Sequence, residues 1–176
     1  MTHGNSRTSR AMSTAVLSLG SNLGDRLGFL GSAVSGFAAE LVAASPVYET
    51  PAWGGVEQPD FLNAVLLVRS TEIDAWGWLR RGQELEAGAG RVREVHWGPR
   101  TLDVDVVAVW GGDGAPVRSD HPDLRLPHPG TPARNTVLRP WLDLDPDAEL
   151  PGHGRVDALL AAVGEGGLRR FAGALA

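Results

Sequence analysis

The sequence predicts an α+β domain of the ferredoxin-like βαββαβ class, with an antiparallel sheet, helices on one face, long loops available for an active site and a C-terminal extension. Four apolar segments with strand character and two segments with helical periodicity follow one another in that order. The chain has 176 residues, the size of one domain with its own hydrophobic core. We therefore expect a single domain over residues 14–176, preceded by a polar, disordered extension over residues 1–13.

The first half of the chain supplies the first strand, the first helix and two further strands. Residues 15–19 are mostly apolar and predict the first strand. A helix over residues 25–41 follows from apolar side chains at helical spacing, which are Leu27, Leu30, Val34, Phe37 and Leu41. Residues 45–50 predict the second strand, residues 51–59 a loop, and residues 61–69 the third strand.

The second helix and the fourth strand complete the unit. The helix starts near Thr71 or Asp74, with Thr71 as a candidate N-cap, and ends near residue 87. Residues 88–99 form a loop that is dense in arginine and glycine. Residues 101–110 predict the fourth strand, because they are rich in valine and alternate with polar side chains at their start.

The C-terminal extension has less regular patterning. Residues 111–134 are mostly loop, because five prolines interrupt them. Residues 137–142 are a short apolar stretch, to which the sequence assigns no helix. Residues 157–163 predict a short C-terminal helix.

The composition excludes several classes of enzyme. All 16 basic residues are arginine, and the chain contains neither lysine nor cysteine. A P-loop NTPase and a Schiff-base or pyridoxal enzyme both need a lysine. A cysteine nucleophile, a disulfide scaffold and a cysteine-based zinc site all need cysteine. Compositional bias accounts for the number of arginines but not for their positions, and any bound phosphate must be held without lysine.

The charge and hydropathy of the chain limit its partners. A net charge of −5 argues against a nucleic-acid partner or an anionic membrane surface, because both require a basic face. The sequence has no apolar run long enough to span a bilayer. Residues 1–13 lack the apolar centre of a signal peptide, so we expect a cytoplasmic protein.

Two aspartates on the fourth strand form the clearest candidate site. Asp103 and Asp105 are separated by one residue, so on a strand their side chains point to one face, about 6–7 Å apart. Val107 and Val109 are expected to continue that face as apolar residues. Two carboxylates this close need a cation, and hard oxygen ligands favour Mg²⁺ shared with substrate phosphates. Two such ions could clamp a transferring phosphoryl group.

The alternative interpretation is a solvated pair of aspartates at a strand end. Asp143 and Asp145 have the same spacing and look like a solvated turn. The pair on the fourth strand differs in its upstream neighbours, which are Arg91, Arg93, His96, Trp97 and Arg100. Anion-binding arginines beside cation-binding carboxylates indicate a site for a metal ion and a polyphosphate.

One face of the second helix points toward the same loop. By helical spacing Trp76, Leu79, Gln83 and Glu86 share a face that becomes polar toward its C-terminal end. An inward Gln and Glu would suit a polar ligand. A helix end that has simply reached solvent is an equal alternative.

Three further segments are candidates for binding. Phe61 and Asn63 share a face of the third strand, where a ring and an amide could hold a heterocycle; core packing and a loop-end hydrogen bond are the alternatives. Residues 20–24, Gly-Ser-Asn-Leu-Gly, are interpreted as a tight turn, because they lack the spacing of a dinucleotide-binding loop. His121 and His128 do not indicate zinc, although His128 could contact a phosphate.

Together these segments resemble the 6-hydroxymethyl-7,8-dihydropterin pyrophosphokinases of the folate pathway. The resemblance covers residues 15–150 and rests on five motifs in order, which are GSNLGDR from residue 20, YETP from residue 48, QPDFLN from residue 58, Glu86 before GRVR from residue 90, and WGPRTLDVD from residue 97. It implies that the hydroxymethyl oxygen of the pterin attacks the β-phosphorus of ATP and that AMP leaves. The loops at residues 51–59 and 88–99 would be lids that exclude water.

The resemblance also implies a role for each matching position. Asp103 and Asp105 would hold two Mg²⁺ ions that accompany ATP, and Arg91 and Arg100 would act beside them as catalytic residues. The remaining nucleotide-binding positions would be Gln83, Glu86, Arg93, Trp97, Val106, His128 and Arg134. The pterin pocket would be formed by Thr50, Pro51, Trp53, Phe61 and Asn63.

Two positions depart from the family pattern. His96 stands where the family usually has an arginine, which would weaken a phosphate contact or a loop anchor. Thr136 stands where the family usually has an aromatic that sandwiches the pterin against Phe61. Losing one stacking face would cost about 1 kcal/mol of binding, so we expect weaker pterin affinity unless Trp53 takes that place.

Three hypotheses follow from these observations. The first is an active pyrophosphokinase, favoured because both aspartates and the neighbouring arginines are present. The second is a non-catalytic relative that binds nucleotide or pterin, motivated by His96 and Thr136. The third, a nucleic-acid-binding ferredoxin-like domain, is disfavoured by the acidic charge. The expected partners are the small molecules ATP and hydroxymethyl dihydropterin, with no nucleic acid and no membrane, and we expect a monomer.

Overall fold

The secondary structure of the computed structural model is described over residues 12–52, 54–55, 57–90 and 100–175. Within these ranges the strands are β1 (Ser13–Ser21), β2 (Leu41–Ala44), β3 (Tyr48–Thr50), β4 (Phe61–Ser70), β5 (Asp103–Gly111), β6 (Ser119–His121), β7 (Leu124–Leu126), β8 (Glu149–Leu150), β9 (Gly154–Arg155) and β10 (Arg169–Arg170). The α-helices are α1 (Arg26–Gly36), α2 (Ala75–Gly88), α3 (Asn135–Leu144) and α4 (Val156–Val163), and a 3₁₀ turn spans Thr131–Ala133.

The central sheet is antiparallel, with strand order β10-β3-β4-β1-β5 and with β2 also paired to β4. Strand β1 lies between β4 and β5, the two strands that α2 connects, which is the split arrangement of ferredoxin-like folds. Strands β6 and β7 form a hairpin within the segment predicted as loop. The predicted α+β class and its antiparallel sheet are confirmed.

The helices divide between the two faces of the sheet. Helices α1 and α2 cover one face, where they pack on the apolar side chains of Leu17 and Leu19. Helices α3 and α4 cover the other face, against Val16 and Val65. The prediction of helices on one face is therefore confirmed for α1 and α2 of the βαββαβ unit, and the helices of the C-terminal extension cover the other face.

Helix α3 occupies the segment for which the sequence predicts only an apolar stretch. Pro140 lies inside it and cannot donate its backbone hydrogen bond, which normally disfavours a helix. Leu138 and Trp141 are almost completely buried against the sheet. Burial of these two side chains stabilises the helix by more than the missing hydrogen bond costs.

The boundary between α1 and β2 also differs from the prediction. Helix α1 ends at Gly36, and Leu41 belongs to β2, where it pairs with Val68. Leu41 satisfies helical spacing and strand patterning equally well, so a distant pairing decides its conformation. The strand predicted over residues 45–50 begins only at Tyr48. Ser45 N–H still donates to the Val65 carbonyl at 2.9 Å, but the Ser45 hydroxyl, instead of a backbone carbonyl, accepts the hydrogen bond from Val65 N–H at 2.8 Å.

The N-terminal end of the sheet includes one residue that the sequence assigns to the extension. Ser13 is buried and begins β1; its hydroxyl accepts a hydrogen bond from Trp78 Nε1 at 2.8 Å and donates to the carbonyl of Ile73. Strand β1 therefore begins one residue before the predicted start of the domain. Residues 1–11 lie outside the described residues. No helix in the described part of the chain is long and apolar enough to cross a membrane.

Candidate active site

A cleft of about 310 Å³ lies at one end of the sheet, on the face that α3 covers. Its walls come from four strands, from the segment before β5 and from the turn that leads into α3. The lining residues are Ser18, Leu19, Gly20, Thr50, Phe61, Asn63, Arg100, Asp103, Asp105, Gly130, Ala133, Arg134, Thr136 and Val137. Seven of the residues predicted for the site are among them, which are Thr50, Phe61, Asn63, Arg100, Asp103, Asp105 and Arg134.

Strand register brings these residues together. Gly20 in β1 pairs with Asn63 of β4 on one side and with Asp103 of β5 on the other. Paired residues share a face, so Asn63 and Asp103 face the same cleft about 10 Å apart, two strand spacings. A Cβ atom at Gly20 would lie 3.8 Å from Asn63 Oδ1 and 3.9 Å from Asp103 Cβ. The glycine therefore leaves the floor of the cleft open between its two ends.

Each aspartate is paired with its own arginine. Arg100 Nη1 lies 3.0 Å from Asp103 Oδ2. Arg134 Nη1 lies 3.8 Å from Asp105 Oδ2 and approaches from the turn before α3. The sequence separates Arg134 from the aspartates by about 30 residues, and the fold brings it to the same cleft as Arg100. The pair of carboxylates is therefore flanked by cationic groups that could bind a polyphosphate.

The two carboxylates interact with one another. Burial raises the pKa of Asp105 to about 7, and repulsion from Asp103 acts in the same direction, while Arg134 opposes both. A divalent cation between these carboxylates would relieve the repulsion and favour the ionised form. The electrostatics therefore match the cation site predicted from the spacing.

His128 is half-buried and lies close to Arg134, at the carboxylate end of the cleft. Burial lowers the pKa of His128, and the positive charge of Arg134 lowers it further. Its Nδ1 accepts a hydrogen bond from Gly130 N–H at 3.2 Å, so the proton of the neutral ring is on Nε2. The backbone N–H of His128 donates to the carbonyl of Val107 at 2.8 Å and attaches the turn to β5. His128 can thus offer one neutral donor.

The opposite end of the cleft carries an amide, a hydroxyl and a ring. Asn63 Nδ2 donates to Thr50 Oγ1 at 2.9 Å, which fixes the amide and leaves its oxygen directed elsewhere. Thr50 pairs with Phe61 across β3 and β4, so the hydroxyl and the ring share the cleft face. Pro51 is exposed and lines a neighbouring cavity that shares Thr50. This end can hold a flat, polar heterocycle.

Asn22 is a residue that the sequence interpretation does not single out. Its side chain is almost fully buried, and its Oδ1 accepts a hydrogen bond from Arg100 N–H at 2.8 Å. Its Nδ2 donates to Gln58 Oε1 and to the carbonyl of Pro59, both at 2.9 Å. Asn22 therefore joins the ends of both predicted lids. The sequence shows an asparagine within the apparent turn at residues 20–24, but it does not reveal this role, because the partners of the side chain are distant in sequence.

Helix α2 presents a different face from the predicted one. Its buried residues are Ala75, Trp78, Gly82 and Glu86, while Trp76 and Gln83 are exposed. The inward face is rotated by one residue, because Trp78 and the close approach of Gly82 to Val104 determine the packing. Asp74 is the N-cap instead of Thr71, and its carboxylate accepts from Gly77 N–H at 2.7 Å.

Glu86 supports the aspartate strand from its outer edge. Glu86 Oε1 accepts a hydrogen bond from Val104 N–H at 2.9 Å, between Asp103 and Asp105. Val106 is buried on the α2 side of β5, away from the cleft face. Gln83 is exposed and does not line the cleft.

A bulge in β5 limits the aspartate face. The pairing with β1 shifts at Val16 and Leu17, so Val107 is an extra residue in β5. Val107 packs on the α3 side with the aspartates, whereas Val109 packs on the α2 side. The expectation that Val109 continues the aspartate face is therefore wrong. Of the predicted site residues, Trp53, Arg91, Arg93 and Trp97 lie outside the described residues, as does His96.

The donor set fits magnesium more closely than zinc. Among the described residues, no group of three or more His, Asp or Glu side chains could hold a metal ion. Asp103 and Asp105 supply two hard carboxylates on one face, in a cleft that also has arginines for phosphate. Mg²⁺ is commonly held by one or two carboxylates together with water and substrate phosphates.

Comparison with known proteins gives consistent matches. The model of the family described as 7,8-dihydro-6-hydroxymethylpterin-pyrophosphokinase (HPPK) matches residues 16–146. A Mycobacterium leprae protein named 2-amino-4-hydroxy-6-hydroxymethyldihydropteridine pyrophosphokinase is 51% identical over 158 residues, which are 85% of this chain and 83% of that protein. The Mycobacterium tuberculosis protein of the same name is 49% identical over 145 residues, which are 79% and 76% of the two chains.

The fold is also similar to that of solved structures. Plasmodium falciparum HPPK-DHPS superposes with a TM-score of 0.64 at 13% identity, over 93% of this chain. The matched part is 45% of that longer chain, so this chain spans less than half of it. At this level of identity the likeness concerns the fold alone.

Proposed function

Because the chain belongs to the 7,8-dihydro-6-hydroxymethylpterin-pyrophosphokinase family, we propose the following function for its cleft. The protein is an ATP-dependent diphosphokinase of folate biosynthesis. It transfers the pyrophosphoryl group of ATP to 6-hydroxymethyl-7,8-dihydropterin and gives AMP and the pterin diphosphate. The observation that carries this function is the cleft with Asp103 and Asp105 at one end and Asn63 and Thr50 at the other.

The carboxylate end is suited to the triphosphate. Asp103 and Asp105 would hold Mg²⁺, and we propose two ions that accompany ATP. Bound Mg²⁺ neutralises phosphate charge and polarises the phosphorus–oxygen bonds. Arg100 and Arg134 lie beside the two carboxylates, where they can stabilise the charge that develops on the phosphate oxygens.

The reaction needs little covalent chemistry from the protein. The hydroxymethyl oxygen forms a bond to the β-phosphorus, the bond from that phosphorus to the α,β-bridging oxygen breaks, and AMP leaves. The proton of the hydroxyl passes to solvent. Arg100 and Arg134 hold the triphosphate in line with the acceptor. The step requires no nucleophilic side chain, because the pterin hydroxyl is itself the nucleophile.

The other end of the cleft would bind the pterin. Phe61 would stack on its ring, and the Oδ1 of Asn63, held by the bond to Thr50, would accept from its ring N–H groups. The acceptor hydroxymethyl group would then point along the open floor at Gly20 toward the carboxylates. Pro51 and Trp53 would complete the pocket from the loop at residues 51–59.

The remaining predicted roles extend this proposal. Arg91, Arg93 and Trp97 would contact the triphosphate from the loop at residues 88–99, and His128 would donate from Nε2. Glu86 acts through Val104, by fixing the strand that carries both aspartates. We propose that residues 14–176 act as one domain, as a monomer in the cytoplasm, and that the two loops close as lids.

An AMP-release assay tests this function. The full chain is incubated with ATP, Mg²⁺ and hydroxymethyl dihydropterin, and the nucleotide product is separated by chromatography. Asp103→Ala and Asp105→Ala are expected to lower turnover on the order of a thousandfold, because charge neutralisation is lost. Asp145→Ala, at an exposed aspartate of the other Asp-x-Asp segment, is the matched control and should keep full activity. Formation of ADP, or full activity in the Asp103 and Asp105 variants, would contradict the proposal.

A further inference from the structure

The C-terminal segment, residues 164–171, lies beyond residue 146, where the family match ends. This segment pairs with the central sheet. Within it β10 pairs with β3, so that Arg169 faces Glu49 and Arg170 faces Tyr48. Phe171 N–H then donates to the carbonyl of Val47 at 2.8 Å. The segment therefore extends the sheet beside the strand that ends at Thr50.

Arg169 joins the two stems of the loop at residues 51–59. Arg169 Nη2 lies 3.0 Å from Glu49 Oε1 and 3.0 Å from Asp60 Oδ2. Glu49 precedes the loop, and Asp60 follows it and leads directly into Phe61 of β4. Arg26 contacts the same two residues from α1, with Nη1 2.7 Å from Glu49 Oε2 and 2.9 Å from the carbonyl of Asp60. The separation of the two stems is thus set partly by the C-terminal segment.

A second attachment reaches the other wall of the cleft. Asn135 is buried at the start of α3, and its Nδ2 donates to the carbonyls of Gly164 at 3.0 Å and Gly166 at 3.2 Å. Asn135 stands between Arg134 and Thr136, which both line the cleft. The C-terminal segment is therefore tied to the turn that carries these two residues.

The segment also lies directly against the loop. Gly167 has a φ of +81°, and a Cβ atom there would lie 3.4 Å from Pro51 Cδ. A second cavity, which shares Thr50 with the main cleft, is lined by Pro51, Asn135, Gly166 and Gly167. These contacts lie at the Thr50 end, whereas Asp103 and Asp105 lie across Gly20.

We infer that the C-terminal segment is a positioning element for the acceptor end of the cleft. Arg169 sets the stems of the loop around Thr50 and Phe61, and Asn135 fixes the opposite wall. The inference rests on the proposed function, because it assigns the Thr50 end to the pterin. It requires that loss of the Arg169 contacts weakens acceptor binding and leaves nucleotide binding intact. Loss of the Asn135 contacts must weaken acceptor binding by more than nucleotide binding, because Asn135 adjoins Arg134.

The test uses point variants of the full chain. Arg169→Ala removes both ion pairs, and Arg170→Ala, at the neighbouring exposed position of β10, is the matched control. Acceptor binding is followed by the fluorescence of hydroxymethyl dihydropterin in the presence of a non-hydrolysable ATP analogue and Mg²⁺. Binding of the analogue alone is measured by calorimetry, and KM and kcat are determined for both substrates. Thermal unfolding reports stability in every variant.

Arg169→Ala is expected to raise the acceptor Kd and KM about threefold to fivefold, as partly exposed ion pairs contribute modestly. Asn135→Ala is expected to raise them about tenfold, since two buried hydrogen bonds are lost. The Kd of the ATP analogue should stay within about twofold in Arg169→Ala, as should both constants in Arg170→Ala. In Asn135→Ala this Kd should rise by less than the acceptor Kd, because Asn135 adjoins Arg134. Arg169→Lys keeps the positive charge at this position and should therefore retain part of the acceptor affinity that Arg169→Ala loses.

Two results would overturn the inference. One is unchanged acceptor binding in Arg169→Ala and Asn135→Ala. The other is a parallel loss of acceptor and nucleotide binding that follows the loss of thermal stability, because a merely structural role predicts that pattern. If Asn135→Ala does not fold, Arg169→Ala decides alone. Failure of the proposed function is separate, because the unaltered protein would then release no acceptor-dependent AMP.

Discussion

Arg134 Nη1 lies 3.8 Å from Asp105 Oδ2, although the two residues belong to different walls of the cleft. Arg134 reaches this position across Gly130, where a Cβ atom would lie 2.8 Å from the guanidinium Cζ. The guanidinium offsets only part of the effect of burial and of Asp103 on the Asp105 carboxylate. The metal-free cleft is therefore a site where one carboxylate holds its proton to unusually high pH.

The raised pKa of Asp105 predicts a pH dependence of stability in the metal-free protein. The unfolded chain releases this proton near the ordinary aspartate pKa of 3.8, whereas the folded chain keeps it until about 7. The unfolded state therefore binds fewer protons between these values, and the Asp105 contribution to the free energy of unfolding falls as pH rises and levels off above 7. Asp105→Asn removes this contribution.

Thermal unfolding in a chelator measures this effect. Because the Asp105 side chain keeps 34% of its surface exposed, the effect is discounted for solvent screening. The Tm advantage of Asp105→Asn over the unaltered protein should grow by about 2–4 °C from about pH 4.5 to about pH 8, the shift that about 1 kcal/mol gives in a domain of this size. A difference in Tm that is the same at both ends of the range would refute the assignment.

Asn22→Ala is expected to lower kcat/KM about 10-fold to 100-fold, because Arg100 N–H loses its buried acceptor and the Gln58–Pro59 stem loses its donor. Steady-state kinetics with both substrates measures the loss. Ser21→Ala is the matched control, because the neighbouring Ser21 hydroxyl is buried without a hydrogen-bond partner among the described residues. Equal kinetics for the two variants would show that Asn22 does not position Arg100.

Thr136→Phe is expected to tighten acceptor binding about fivefold, because an aromatic ring at this wall of the cleft would supply a second stacking face opposite Phe61. Fluorescence titration with hydroxymethyl dihydropterin gives the Kd. Thr136→Leu adds apolar surface without an aromatic ring and serves as the control. If the leucine variant gains as much affinity as the phenylalanine variant, stacking is not the cause.

The sequence predicts the central unit well because its patterns are local. Alternation along β5 correctly places Asp103 and Asp105 on one face, and the motif around Phe61 and Asn63 correctly assigns both to one strand face. The βαββαβ order then brings these strands together at one end of the sheet. Local periodicity is therefore sufficient to predict the residues at the two ends of the cleft.

Features that depend on distant pairing could not be predicted in the same way. Leu41 leaves the helical pattern because it pairs with Val68, and Val109 changes face because Val107 is an extra residue opposite β1. Helix α3 forms despite Pro140 because the sheet offers a surface that buries Trp141. In each case the deciding partner lies far away along the chain.

The same reason explains the site residues that were hardest to predict. Asn22 has its role through Arg100, Gln58 and Pro59, none of which is near it in sequence. Trp76 and Gln83 are exposed because a shift of one residue in the helix face follows from the contact of Gly82 with Val104. Helical spacing identifies the residues that share a face, and tertiary packing determines which face is buried.

Positional labelling of ATP distinguishes transfer of a pyrophosphoryl group from transfer of a single phosphoryl group. Two single-turnover reactions are run with Mg²⁺ and hydroxymethyl dihydropterin, one with the α-phosphate labelled and one with the γ-phosphate labelled. Transfer of the pyrophosphoryl group predicts that the α label appears in AMP and the γ label in the pterin diphosphate, only when the acceptor is present. Asp103→Ala should form both products more slowly, on the order of a thousandfold. Appearance of the α label in ADP, or AMP formation at the same rate without the acceptor, would show that the protein does not transfer the pyrophosphoryl group to the pterin.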